Sequence, residues 1–151
     1  MAPRSVSSRQ RCVEVSAAIL MQEGRLLIAR RPVGAHLGGL WEFPGGKREL
    51  GETFEACLER ELREELGIRV QVGPCWATVQ HSYPDRTVRI RFFLCQLLSG
   101  RPQPLGCSAV KWVTRRTLRR HRFPPADAAI LERLVRTPEV WQPTPRQSPP
   151  G

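Results

Sequence analysis

The segment Thr53-Phe54-Glu55-Ala56-Cys57-Leu58-Glu59-Arg60-Glu61-Leu62-Arg63-Glu64-Glu65-Leu66-Gly67 constrains this chain more than any other. At about 100° per residue, Phe54, Cys57, Leu58 and Leu62 align as one apolar stripe of a helix, with Gly67 in a C-cap position. Glu61 and Glu65 fall inside that stripe, four residues apart and so one above the other, with Glu64 on its flank. Like charges at this spacing repel, and burying them is costly unless a partner compensates. A divalent cation does so: Mg²⁺ and Mn²⁺ favour oxygen ligands, and Mg²⁺ keeps waters and shares substrate phosphates. The alternative is a solvated helix laced by Arg60–Glu64 and Glu59–Arg63 pairs.

The flanks decide between these readings. Gly46 is followed by five residues, Glu52 by seven, and then comes Arg60-Glu61-Leu62-Arg63-Glu64-Glu65-Leu66-Gly67-Ile68. This resembles the box of the Nudix family at every specified position. The resemblance implies an α/β (α+β) fold, a mixed β-sheet sandwiched between helices, with the box as a loop–helix–loop. It also implies hydrolysis of a nucleoside diphosphate linked to another group. Glu61, Glu64 and Glu65 would then hold Mg²⁺ (or Mn²⁺) with the backbone carbonyl of Gly45. Glu61 or Glu64 would serve as base, Arg60 would orient a box glutamate, and Glu52 would support the site. Gly45 and Gly46 would let the backbone approach metal and phosphate closely.

More than the box is similar to the MutT branch of that family, which converts 8-oxo-dGTP to 8-oxo-dGMP and pyrophosphate. Ala29-Arg30-Arg31, His36, Trp41-Glu42-Phe43-Pro44-Gly45-Gly46-Lys47, Tyr83-Pro84-Asp85-Arg86, Trp112 and Phe123-Pro124-Pro125-Ala126-Asp127 follow in the expected order. By this resemblance Arg31 touches the substrate phosphate, Phe43 and Arg86 sit near base or sugar, and Asp127 reads the base. The plain structural alternatives are a strand-end arginine, a core ring, a turn residue and a charge in a first helical turn. Two positions depart from the branch. Asp127 stands where Asn is usual, and Asp also stands there in relatives acting on cytosine nucleotides. The loop Leu105-Gly106-Cys107-Ser108-Ala109-Val110 lacks the glutamate often found there.

Around the box, period-two and apolar runs predict strands at Cys12–Leu20, Leu26–Ala29, Trp41–Phe43, Val70–Val72, Trp76–Val79, Val88–Leu98 and Val110–Val113. Pro44-Gly45-Gly46 reads as a stop, and a second helix is expected at Ala126–Val135 after Pro124-Pro125. Residues 12–136 form the expected single Nudix domain, between disordered tails at 1–11 and 137–151, the second rich in Pro and Gln.

The net charge of +10 suits an acidic partner, and equally a genome that favours arginine codons, since only Lys47 and Lys111 are lysines. The cluster Arg115, Arg116, Arg119, Arg120 and Arg122 reads as a polyphosphate or RNA grip, or as a solvated face. Five cysteines without a CxxC spacing argue against disulfides and zinc, and point to reduced thiols in a cytoplasmic protein. No apolar run approaches the roughly 18 residues of a spanning helix, so no membrane partner is expected. The expected partner is a nucleoside triphosphate. Nucleic acid is open but not required, and the chain is a monomer or dimer. The leading reading is a Mg-dependent nucleoside triphosphate pyrophosphohydrolase that sanitises 8-oxo-dGTP. The alternatives are a CTP/5-methyl-dCTP pyrophosphohydrolase, an RNA 5′-pyrophosphohydrolase, or a non-catalytic reader of oxidised nucleotides.

Overall fold

Strand β1 (Arg11–Gln22) is long because its sequence alternates and then turns continuously apolar, which suits a strand covered on both faces. It pairs in parallel with β6 (Arg86–Ser99) from Arg11↔Arg86 to Leu20↔Cys95. Its other side takes two short antiparallel partners, β4 (Gly45–Lys47) against Val15–Ala17 and β2 (Arg25–Arg30) across a tight turn. Strand β3 (Trp41–Glu42) and β7 (Ala109–Val113) flank β2, and β5 (Arg69–Ser82) closes the far edge against β6. The sheet is seven-stranded and mixed. The computed structural model describes residues 11–143.

Alternation along the strands builds two cores, one on each face. Ala17, Ile19, Leu26, Ile28 and Phe92 face helix α2 (Ala128–Val135) and its Ile130 and Leu134. Ala18, Leu20, Leu27 and Phe93 face helix α1 (Phe54–Leu66) and its Leu58, Leu62 and Leu66. Each fully buried leucine of α1 contributes roughly 1.5–3 kcal/mol, which fixes the helix on the sheet. Thr53 Oγ1 caps α1 by accepting from the Ala56 amide at 3.0 Å, and Gly67, at φ 68°, ends it in the left-handed region. The sandwich expected from the sequence is the one observed.

Four boundaries differ from expectation. Pro44-Gly45-Gly46 does not stop pairing: Gly45–Lys47 is a strand, and a Cβ on Gly45 would run into the Ser16 carbonyl. The two strands expected at Val70–Val72 and Trp76–Val79 are one edge strand, bulged where Gly73 and Pro74 interrupt the register. The second helix opens with a 3-10 turn, Pro125–Asp127, before α2. Arg11 belongs to β1, and the chain stays folded past residue 136. Pro138–Trp141 is a 3-10 turn whose Trp141 is buried and donates its indole N–H to Leu134 O at 2.9 Å. A single indole outweighed the Pro-rich composition around it. The remainder of the two expected tails, 1–10 and 144–151, lies outside the described residues.

Candidate active site

Helix α1 carries its apolar stripe into the sheet and so turns Glu61 and Glu65 toward β4, one turn apart. A cleft of about 370 Å³ opens there, lined by both glutamates, by Gly45, Gly46 and Lys47, and by Arg31 and Glu42. Gly46 is the floor beneath Glu61, because a Cβ at this position would collide with the Glu61 carboxylate. Burial first, and then the charges of Glu61 and Glu42, push the Glu65 carboxyl up to about 8. A carboxylate so disfavoured gains most from a cation. All the nearby donors are oxygen, which suits Mg²⁺ or Mn²⁺. Among the described residues no three His, Cys, Asp or Glu side chains form a ready cage. Two carboxylates are a common Mg²⁺ arrangement when waters and substrate phosphates complete the shell.

The third box glutamate is elsewhere. Glu64 does not join Glu61 and Glu65; it turns aside to Arg60 at 3.3 Å, with 58% of its side chain exposed. The helical step from Glu61 to Glu64 rotates toward the Arg60 side, and the guanidinium draws it further. Arg60 is the hub of this flank. It holds Glu52 bidentately at 2.7 and 2.8 Å, Glu61 at 2.9 Å and the Lys47 carbonyl at 3.2 Å. These bonds raise the Arg60 guanidinium further above its ordinary range. With the Glu49 amide they hold Glu52 down at about 2. Glu64 is thus an exposed, salt-bridged helix residue, Glu61 is salt-bridged but largely buried, and Glu65 is largely buried.

A second chamber of about 320 Å³ adjoins the first and shares Val15, Arg31, Glu42 and Lys47 with it. Val13, Val88 and Ile90 line it with apolar surface, Tyr83 and Arg86 come from the hairpin, and Asp127 lies at its other end. Arg86 stands over the Tyr83 ring at 5.7 Å. Asp127 is 7% exposed; its amide donates to the Pro124 carbonyl at 3.0 Å, and its carboxyl makes no hydrogen bond among the described residues. Burial, helped by the Glu42 charge, pushes its carboxyl up to about 7. A larger hollow of about 420 Å³ lies at the opposite end of β1, against Ile19, Leu94 and Val140, and holds none of the box residues.

A family model described as the NUDIX domain matches residues 15–133. This chain belongs to the Nudix family. Among its relatives, the 8-oxo-dGTP diphosphatase of Escherichia coli strain K12 is 33% identical over 125 residues, covering 82% of this chain and 97% of the relative. The CTP pyrophosphohydrolase of the same strain is 36% identical over 123 residues, covering 82% and 91%. Of solved structures, that of the E. coli ORF135 protein superposes with a TM-score of 0.73 at 34% identity, covering 85% of this chain and 91% of the other.

Within this Nudix scaffold the expected site residues divide. Glu61, Glu65, Gly45, Gly46 and Arg31 meet at the first chamber, and Arg31, Arg86 and Asp127 at the second. Arg31 is already engaged, donating to Glu42 at 3.0 Å and to the His36 carbonyl at 2.8 Å. Phe43 is first a core residue, 6% exposed and packed on Phe92 and Phe123; it borders the glutamate chamber and not the Asp127 chamber. Glu42 was missed. It lines both chambers, burial raises its carboxyl while Arg31 lowers it, and its charge reaches both Glu65 and Asp127. The signal was in the strand: alternation sends Trp41 and Glu42 to opposite faces. The loop without a glutamate, 105–110, is held against the Glu65 carbonyl by the Leu105 and Gly106 amides, each at 3.0 Å.

Proposed function

We propose that the chain hydrolyses nucleoside triphosphates to the monophosphate and pyrophosphate, with 8-oxo-dGTP as its preferred substrate. The paired chambers carry this reading: carboxylates and glycine backbone at one end, a buried unpartnered carboxyl at the other, and Arg31 and Lys47 between them. Glu61, Glu65 and the Gly45 carbonyl would hold Mg²⁺ or Mn²⁺. The bound ion supplies neutralisation of phosphoryl charge and acidifies water. Arg31 and Lys47 bind the phosphates, and Arg31 exchanges its bond to Glu42 for one to phosphate. Glu64, held by a single long bond, is free to accept the proton of the attacking water, while Arg60 keeps Glu61 in place. Glu52 locks Arg60, and Glu42 takes the place of the missing loop carboxylate. The reading sets the protein in the cytoplasmic nucleotide pool, and its five cysteines are all free thiols. No helix of the described residues is long and apolar enough to cross a membrane.

At the base end, a neutral Asp127 offers one O–H donor and one acceptor, as an Asn amide does. That pair matches the N7–H and O6 of 8-oxoguanine. An ionised Asp127 only accepts, and then a base amine is the better partner. No Asn or Gln lines this chamber among the described residues, and Glu42 adds a second carboxyl. This favours a second reading, in which the cytosine amine is recognised and CTP or 5-methyl-dCTP is the substrate.

Pyrophosphate release with Mg²⁺ from 8-oxo-dGTP, dGTP, CTP and 5-methyl-dCTP separates the two. The expected order has 8-oxo-dGTP first by kcat/KM. Cytosine nucleotides first would establish the second reading, and no release from any of them would overturn both.

A further inference from the structure

Between Asp85 and Asp127 the chain carries no acidic residue, yet it holds nine arginines and Lys111. Five of these arginines fall at 115–122, around a 3-10 turn at Leu118–Arg120. Two of the five are spent on the fold. Arg115 Nε donates to the Val135 carbonyl at 2.7 Å, and Arg119 pairs with Glu132 at 3.1 Å. Arg116, Arg120 and Arg122 are exposed and carry no ion pair or hydrogen bond from their guanidinium groups among the described residues. Glu132, the partner of Arg119, is shared with Arg136 as well. These three arginines lie near one another in sequence, and no ion pair among the described residues neutralises them.

The patch also borders the cleft. The Arg122 carbonyl accepts from the Trp41 amide at 2.8 Å, which ties this segment to the strand carrying Glu42. Two residues further on, Pro124 lines the Asp127 chamber. We propose that Arg116, Arg120 and Arg122 form a docking surface for the phosphodiester backbone of a nucleic acid, beside the nucleotide cleft. Arginine forks match phosphate oxygens in pairs, which favours a phosphate chain over an acidic peptide. The only apolar residue of the turn, Leu118, is 1% exposed, so the patch presents nothing to insert into a bilayer. No long helix or ribbon projects from it to enter a groove, so it contacts backbone and not base edges, and binding is independent of sequence.

The test is fluorescence anisotropy with labelled 12-nucleotide RNA and DNA strands bearing 5′-hydroxyl ends. These ends keep the cleft out of the measurement, so the result stands apart from the proposed hydrolysis. Micromolar binding at low salt is expected. The triple variant R116S/R120S/R122S should bind at least tenfold more weakly and lose about 2 from the slope of log K against log salt, at about 0.7 per phosphate contact. Circular dichroism and nucleotide turnover of the variant should match the parent. Equal binding by the variant overturns the proposal, as does absence of binding by the parent. Binding to phosphatidylserine vesicles in preference to oligonucleotides also overturns it, in favour of a membrane surface.

Discussion

Asp127 offers a test that does not depend on catalysis. Its carboxyl makes no hydrogen bond among the described residues, and burial pushes it up to about 7 from the ordinary 3.8 of an unfolded chain. The groups lining its chamber are Glu42 on β3, Arg31, His36 and Lys47 beside it, and Tyr83 and Arg86 on the hairpin. Below pH 3.8 both states are protonated and the group contributes nothing. Between 3.8 and 7 the unfolded chain sheds the proton first, so stability falls as pH rises; above 7 the full cost remains. At 1.36 kcal/mol per unit, that cost is roughly 4 kcal/mol. Asp127→Asn cannot ionise and has no native side-chain hydrogen bond to lose. The stability gap between variant and parent should therefore widen by roughly 2.5 kcal/mol from pH 5 to pH 8. Urea titrations read this as a growing separation of midpoints, about 1–2 M at the m-value of a small domain. A gap that stays constant with pH would refute burial as the cause of the shift, and with it the amide-like acid at the base end.

Other outcomes follow from the same geometry. In the parent, turnover of 8-oxo-dGTP relative to CTP should fall as pH rises through 7, while Asp127→Asn keeps a constant ratio; competition assays at pH 6 and 8 measure it. Gly46→Ala drives a methyl into the Glu61 carboxylate, so kcat should drop at least a hundredfold with the fold retained by circular dichroism. Glu64→Gln should lower kcat tenfold or more while leaving Mn²⁺ affinity within about threefold, whereas Glu65→Gln should weaken Mn²⁺ binding by tenfold or more. Calorimetric Mn²⁺ titration separates the two, and chelation by EDTA should abolish turnover of the parent. For Glu52, held down by Arg60, the sign runs opposite to Asp127. Its pairing stabilises the fold fully above pH 4.5 and is lost as pH falls toward 2, so Glu52→Gln should narrow the acid sensitivity of the melting temperature.

What the sequence made legible was whatever repeats with a period or sits at a fixed spacing. The stripe of α1, its caps and the alternation of β1 and β6 led directly to the sandwich, because each is set by residues close together in the chain. The pair Glu61 and Glu65 was readable for the same reason. The place of Glu64 was not, because Arg60 had competing partners at Glu52 and Glu61 and only three dimensions show how its bonds are divided. Glu42 escaped notice because its importance comes from lying between two chambers built by distant segments. The strand at Gly45–Lys47 was hidden by composition: Pro-Gly-Gly looks like a turn, yet here glycine is what allows the backbone to lie against Ser16.

The buried indole of Trp141 separates two boundaries that are easily equated. The family pattern stops at residue 133, but the packed unit runs at least eight residues further, to the ring that closes the α2 side of the core. A protein trimmed to the pattern would lose the donor to Leu134 O and expose the apolar surface that Trp141 now covers on Ile130, Leu134 and their neighbours. For this chain, the matched family pattern is shorter than the unit that folds.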